Sequence, residues 1–404
     1  MNSNSLDYNK SWKKETALFL ISQNVSLFGS SVVSFSIIWH ITLQTSSGTW
    51  MMLFTVCSLL PQVLISLWAG VWADRYNRKF LIMLADGFIA LATLGLAAVF
   101  LAGYQRLELL LAVSIVRSVG TGIQMPAVNA LYPQIVPTKK LTKVQGINQT
   151  LNSVLMLLSP AVGGLVLASA GVFWAFMLDV ITASLAIVSL AFIRIGKIAT
   201  HGEAKSVLSE LRDGVAYVSE NQMLKRVIIC FGASFFLFTP ASVLTPLLVE
   251  RSFGGGVWHL TANEMVWTVG SLIGGAFVSI KGEFEDKIGT VALCLVAFGI
   301  TFALLGVAGS FYVYLIIMGT AGFFMPIVST VQTVLLQENV EAAMMGRVFS
   351  LVQIVTGSAM PAAILFFGPL ADIVPISLIL LASGALLAAT GVLYQYTSRR
   401  AELN

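Results

Sequence analysis

Apolar runs bounded by charges or by Gly, Pro and Asn recur along the chain at about 16–43, 49–72, 80–102, 107–133, 144–170 and 172–194, then again at about 224–249, 258–280, 288–308, 311–336, 345–371 and 374–397. Each is long enough for a helix to cross a hydrocarbon core about 30 Å thick. None shows the short alternating segments of a transmembrane barrel. The pattern predicts an all-α integral membrane protein with 12 transmembrane helices. Between the sixth and seventh runs lies the longest polar stretch. There Val207, Leu208, Leu211, Val215 and Val218 repeat at helical spacing, which predicts an amphipathic helix on the membrane surface. The expected organisation is a six-helix bundle over 1–195, a connector over 196–223 and a second six-helix bundle over 224–404.

Charge fixes an orientation. With twelve spans, every lysine and arginine except Arg106, Arg117 and Arg251 falls at the termini or in loops after even-numbered spans. By the positive-inside rule, both termini and those loops are cytoplasmic in a plasma membrane. Lys10, Lys13 and Lys14 precede a long apolar run without a small-residue cleavage site, as in a retained first helix. The composition, 57% hydrophobic and 10% charged, excludes an ordinary soluble enzyme.

An internal repeat ties the halves together. Gly122, Met125, Pro126 and Val128 of span 4 match Gly322, Met325, Pro326 and Val328 of span 10, and Gly146 matches Gly346 at the same offset. Equivalent spans of equal orientation imply parallel repeats related by an axis along the membrane normal, with a cavity between two rocking bundles.

Four ionisable residues lie inside spans: Asp86, Arg117, Asp179 and Glu264. Arg117 sits about ten residues, roughly 15 Å, into the bilayer. A charge there faces a cavity or a partner, and a buried ion pair with Asp86 of span 3 is the expectation. Desolvated carboxylates can take up a proton and carry it between sides, so Asp86, Asp179 and Glu264 are proton-coupling candidates, with a position near the aqueous interface as the competing reading for Asp179 and Glu264. The carboxamides Gln23, Asn24, Gln62, Gln124, Asn148, Asn152, Gln332 and Gln353 are candidates to line a substrate cavity; interhelical hydrogen bonding is the competing role for each.

Other chemistry is not signalled. Cys57, Cys230 and Cys294 have no metal or redox spacing, and His40, His201 and His259 have no metal-site spacing or triad partner. There is no phosphate-binding Gly-x-x-x-x-Gly-Lys-Ser/Thr loop, so neither an enzyme nor an ATP-driven pump is expected. No cofactor or metal is expected; the proton gradient would supply the energy.

The 2–3 loop runs Gly70, Asp74, Arg75, Asn77, Arg78, Lys79. Gly70 would allow close approach of another helix, and Asp74 would accept hydrogen bonds from neighbouring bases or a helix N-terminus. This loop resembles the Gly-x-x-x-Asp-Arg-x-Gly-Arg-Arg/Lys signature of the major facilitator superfamily. Asn77 stands in place of the second glycine, and it too tolerates left-handed backbone. The resemblance implies the fold of two six-helix bundles in parallel pseudo-repeat, a cytoplasmic gate latched by this loop against span 11, and a part for Arg117 in proton transfer. In span 5, Gly146, Pro160, Gly163 and Gly164 resemble the superfamily's antiporter signature, with Leu155 and Ser159 replacing two of its glycines; a kinked packing helix is the alternative.

Further stretches, including Leu84-Ala85-Asp86, Val116-Arg117-Ser118, Pro126–Ala130 and Gly346-Arg347-Val348-Phe349-Ser350-Leu351, are similar to the macrolide-efflux group of exporters, itself similar to siderophore exporters. That resemblance implies export of bulky amphiphiles driven by proton influx, from a chain expected to be monomeric, with partners limited to substrate, protons and lipid. A siderophore or metabolite exporter, a nutrient uptake carrier and a non-transporting scaffold stand as alternatives.

Overall fold

A computed structural model describes residues 3–193, 207–341 and 344–402, and among them every regular element is helical. In order these are α1 (Ser3–Thr45), α2 (Gly48–Arg75), α3 (Arg78–Leu101), α4 (Leu107–Ile135), a single 3-10 turn at Thr138–Lys140, α5 (Leu141–Ser169) and α6 (Val172–Ala191). Then follow α7 (Val207–Glu220), α8 (Gln222–Val243), α9 (Thr245–Phe253), α10 (Val257–Lys281), α11 (Lys287–Val307), α12 (Phe311–Asn339), α13 (Met345–Ile373) and α14 (Ile376–Glu402). Among the described residues, eleven stretches are long and apolar enough to cross a membrane. The eighth expected span is α10, which is less apolar because it carries His259, Asn263 and Glu264.

The seventh span differs from its expected single run. It breaks at Leu244 into α8 and α9, because Pro246 has no N–H to donate and its ring crowds the preceding turn. The Leu244 amide closes α8 by donating to the Pro240 carbonyl at 2.9 Å.

The chain divides into two compact units, Met1–Gln44 with Leu53–Gly202, and Thr45–Met52 with Glu203–Asn404. In the first, α3 packs against both α4 and α6. Glycines set the closest approaches. A Cβ at Gly122 of α4 would come within 2.7 Å of the Gln62 carbonyl of α2. In the second unit, Gly322 of α12 is pressed in the same manner onto the Trp267 carbonyl of α10, and Gly270 and Gly274 of α10 face the α12 backbone. The repeat seen in sequence therefore recurs as the same helix-on-helix contact inside each unit. Small residues belong there because dispersion between close backbones drives helix association in lipid.

Gly70 behaves otherwise than expected. A Cβ there would meet nothing within 4 Å, and the close approach to α2 runs through Gly122 instead. Gly146 is equally open, whereas a Cβ at Gly163 would lie 3.5 Å from the Val32 carbonyl of α1. Pro160 sits inside a continuous α5, and Gly163 and Gly164 are buried.

Asn77 is also corrected. It has φ −64° and ψ 110°, not a left-handed conformation, and its side chain caps α3 by accepting from the Lys79 and Phe80 amides. An Asn at this site satisfies helix N–H groups that a glycine would leave to water. Arg78 donates to the carbonyls of Ala73 and Ala130 at 2.8 and 2.9 Å, and Lys79 donates to those of Ala191 and Ile193 at 2.7 and 2.8 Å. The two bases thus tie the α2–α3 turn to the C-terminal turns of α4 and α6. Arg75 is exposed, and the Asp74 side chain lies outside the described residues. The first part of the connector, residues 196–206, lies outside them too. Its helical part, α7, buries Val218 and sets Gly214 against the Arg347 backbone of α13, while Val215 is half exposed.

Candidate functional site

The first unit concentrates its buried charge in two layers. In one, Asp179 of α6 is 1% exposed and pairs with Arg117 of α4, which is 8% exposed. Thr93 of α3 accepts from Arg117 Nη1 at 2.6 Å and donates to Asp179 Oδ2 at 3.1 Å, and Ser30 of α1 donates to Asp179 Oδ1 at 3.1 Å. In the other, Asp86 of α3 is 2% exposed, and its Oδ1 accepts from Ser26 Oγ at 2.7 Å and Gln124 Nε2 at 2.9 Å. Its Oδ2 is buried with no hydrogen-bond partner among the described residues.

Helical periodicity explains the layering. Ser26 and Ser30 are four apart on α1, while Asp86 and Thr93 on α3, like Arg117 and Gln124 on α4, are seven apart. Each pair occupies one helix face at successive levels. The expected Arg117–Asp86 pair is thereby corrected: Arg117 faces the Asp179 level, two turns of α4 away from Gln124, and Asp86 is left with neutral donors. The consequence is electrostatic. Arg117 and Asp179 cancel, and Asp86 is the uncompensated acid of the cluster.

Gly29 makes the arrangement possible. A Cβ there would come within 3.0 Å of the Asp179 Cα and collide with Thr182 Oγ1. Gly29→Val is therefore expected to push α1 off α6, separate Ser30 from Asp179 and cost about 1–3 kcal/mol; the apparent melting temperature in detergent would drop, whereas the same change at open Gly95 would leave it unmoved.

A cavity of about 620 Å³ opens beside these layers within the first unit. Its wall includes Arg117 and all six carboxamides expected from the first bundle: Gln23, Asn24, Gln62, Gln124, Asn148 and Asn152. Leu27, Phe35, Phe54 and Met125 supply apolar surface. Ser118 stands at its α2 side, donating to the Ser58 carbonyl at 2.7 Å and accepting from the Gln62 amide at 2.9 Å. A regular helix joins those two groups directly, so the hydroxyl is inserted in the α2 ladder next to Pro61. Ser118→Ala should cost about 1–3 kcal/mol through the stranded buried groups, measurable as reduced thermal stability.

The second unit is different in character. Gln332 lines a small cavity of about 40 Å³ among Phe235, Phe238, Phe298 and Leu295, and Gln353 is exposed on α13. Glu264 is partly exposed on α10 and accepts from Asn263 Nδ2 at 3.3 Å; Asn263 in turn accepts from the Tyr314 hydroxyl at 2.7 Å. Glu264 thus joins a polar chain that, among the described residues, includes no cation. Within the same unit Asp372 of α13 accepts from the Gly48 and Thr49 amides at 2.7 and 2.9 Å, capping the start of α2. Arg251 pairs with Asp372 at 3.2 Å and donates to the Ser46 and Ala371 carbonyls. Sequence reasoning missed Asp372, as it missed Ser26, Ser30 and Thr93. Ser26 and Ser30 carried a faint signal, since Ser22, Ser26, Ser30 and Ser34 recur every fourth residue of α1. Among the described residues no group of three His, Cys, Asp or Glu side chains is placed to hold a metal.

The sequence pattern of the transmembrane secretion effector family matches residues 13–402. The chain belongs to this family. It is a membrane transporter of the major facilitator type and not an enzyme. Among its relatives, macrolide efflux protein A of Streptococcus pyogenes is 29% identical over 387 residues, covering 94% of this chain and 95% of the relative. The enterobactin exporter of Citrobacter koseri is 26% identical over 360 residues, covering 86% and 83%. Two solved structures share the fold at 15% identity: a bacterial homologue of the iron transporter ferroportin, with TM-score 0.72 over 94% of this chain and 98% of that one, and a D-xylose–proton symporter, with TM-score 0.68 over 93% and 96%. The transporter's relatives and its fold agree with a multi-pass efflux carrier of small molecules.

Proposed function

We propose that this transporter is a proton-coupled exporter of bulky amphiphilic small molecules, macrolides first among them, working by alternating access in a bacterial plasma membrane with both termini cytoplasmic. Asp86 carries the coupling half of this reading. It is a buried acid without a counter-cation, and one of its oxygens is free to receive a proton. Protonation removes the one uncompensated charge in the cluster, while Arg117 keeps Asp179 neutralised throughout. A proton bound more tightly in one state than in the other shifts the balance between them, and a substrate with the opposite preference is then moved against its gradient. Export of macrolides is supported by the likeness to macrolide efflux protein A; the likeness to an enterobactin exporter supports a siderophore as the second substrate to test.

Inverted membrane vesicles from expressing cells provide the test. An imposed acid-inside gradient should drive erythromycin into them, and a protonophore should abolish the uptake. Gradient-independent accumulation would reject proton coupling, and accumulation of enterobactin in place of erythromycin would reassign the substrate.

A further inference from the structure

Asp86 is sealed from the space that could supply its proton. It is buried, its Oδ2 has no accessible surface, and it forms no part of the wall of the first unit's cavity. Two residues of that wall reach it. Ser26 of α1 donates from Oγ at 2.7 Å and Gln124 of α4 donates from Nε2 at 2.9 Å, both to Oδ1. Among the described residues these are the side chains that hydrogen-bond the carboxylate, so they stand between the cavity and the acid.

The chemistry of the two groups differs. A hydroxyl has one proton to give and lone pairs with which to receive another. It can pass a proton along one hydrogen bond while taking up a second from the water side. The nitrogen lone pair of a carboxamide is delocalised into its carbonyl, so the N–H group orients its acceptor without exchanging the proton with it. A polar-walled cavity of about 620 Å³ has room for water beside both residues. Ser30, one turn further along α1, repeats the arrangement with a different outcome: it lines the cavity and donates to Asp179 at 3.1 Å, but that carboxylate is already paired with Arg117. Arg117 and Asp179, on α4 and α6, are the other buried charged residues among those described, and they cancel each other. Ser26 is therefore the cavity-wall hydroxyl bonded to the acid that lacks a cation.

We infer that the Ser26 hydroxyl relays protons between the first unit's cavity and Asp86. It rests on the reading of Asp86 as the coupling acid and names the route by which the proton arrives and leaves. In loading, a hydrated proton in the cavity gives up a proton to Ser26 Oγ while the Oγ–H proton passes to Asp86 Oδ1. One O–H bond forms at Oγ as another breaks. The serine ends unchanged, the carboxylate becomes a carboxylic acid, and water is left in the cavity. Release is the reverse. Gln124 holds Oδ1 toward the hydroxyl and takes up no proton.

Ser26→Thr and Ser26→Val test the relay, because they are nearly equal in shape and differ in the hydroxyl. Each full-length variant is reconstituted in proteoliposomes with erythromycin, and the initial rate of gradient-driven uptake, its plateau and substrate counterflow are measured. A relay sets how fast the proton moves and leaves its equilibrium affinity alone. Ser26→Val should slow the driven initial rate at least about ten-fold relative to Ser26→Thr, the low end of what a positioned proton-transfer group contributes. Plateau and counterflow should match between the two. Gln124→Leu removes the other hydrogen bond to the same oxygen and should keep the ratio of driven rate to counterflow near the native value. Equal driven rates in the Thr and Val variants overturn the relay. An equal slowing by Gln124→Leu overturns it as well, since the effect would then be one of holding the carboxylate. If the branched side chains prevent folding, Ser26→Ala against the native chain gives the same comparison. Asp86→Asn separates the two claims: with plateau lost there but the driven rate intact in Ser26→Val, the relay alone fails, whereas a plateau retained in Asp86→Asn removes the coupling acid and the relay together.

Discussion

Asp86→Asn is expected to cripple gradient-driven efflux while leaving downhill substrate exchange intact. The amide keeps an oxygen to accept from Ser26 and Gln124, so the local hydrogen bonds persist. What it loses is the site for an exchangeable proton. Coupling free energies of about 1–3 kcal/mol correspond to 5–150-fold, so concentrative transport should drop by about ten- to a hundred-fold. Substrate counterflow across proteoliposomes, which needs alternation and no proton, should stay near the native rate and lose its pH dependence. A variant that still concentrates substrate against a gradient would remove Asp86 from the mechanism and return attention to Glu264, the other acid without a cation.

The Arg117–Asp179 pair should dominate stability. Removing one member of a buried pair strands the other charge and typically costs about 3–5 kcal/mol, whereas removing both is far milder. Arg117→Gln and Asp179→Asn should each lower the apparent melting temperature sharply, and the double variant should regain at least half the loss. The Asp179→Asn change also takes away the acceptor of Ser30 and Thr93, so it is expected to be the worse of the two. Additive losses in the double variant would mean that the two side chains act independently. Asp86→Asn, by contrast, should leave the melting temperature unchanged or raise it, because it removes an uncompensated buried acid.

These two outcomes separate roles that the sequence could not. Four membrane charges stand out in the chain because each is costly in hydrocarbon, and that reasoning found Asp86, Arg117, Asp179 and Glu264. Which acid faced which base was not legible. Asp86 is nearer to Arg117 along the chain, but Asp179, 62 residues away, is the one brought into contact. Ser26, Ser30 and Thr93 were passed over because small hydroxyl residues are common throughout apolar helices, where most bond to their own backbone, as Thr42 and Ser114 do. Asn77 was read for its backbone tolerance when its side chain was the functional part, as the cap of α3.

By itself, the sequence determined the all-helical membrane class, the placement of the apolar runs and the doubling of the bundle. Each depends on quantities that are local in the chain: run length against bilayer thickness, and glycine at matching positions. Only the tertiary structure decided the azimuth of each helix, and with it the pairing of Arg117 and the isolation of Asp86. The reason is that a helix presents a different residue every 100°. A shift of one residue in rotation changes a charge's partner while leaving every local pattern untouched.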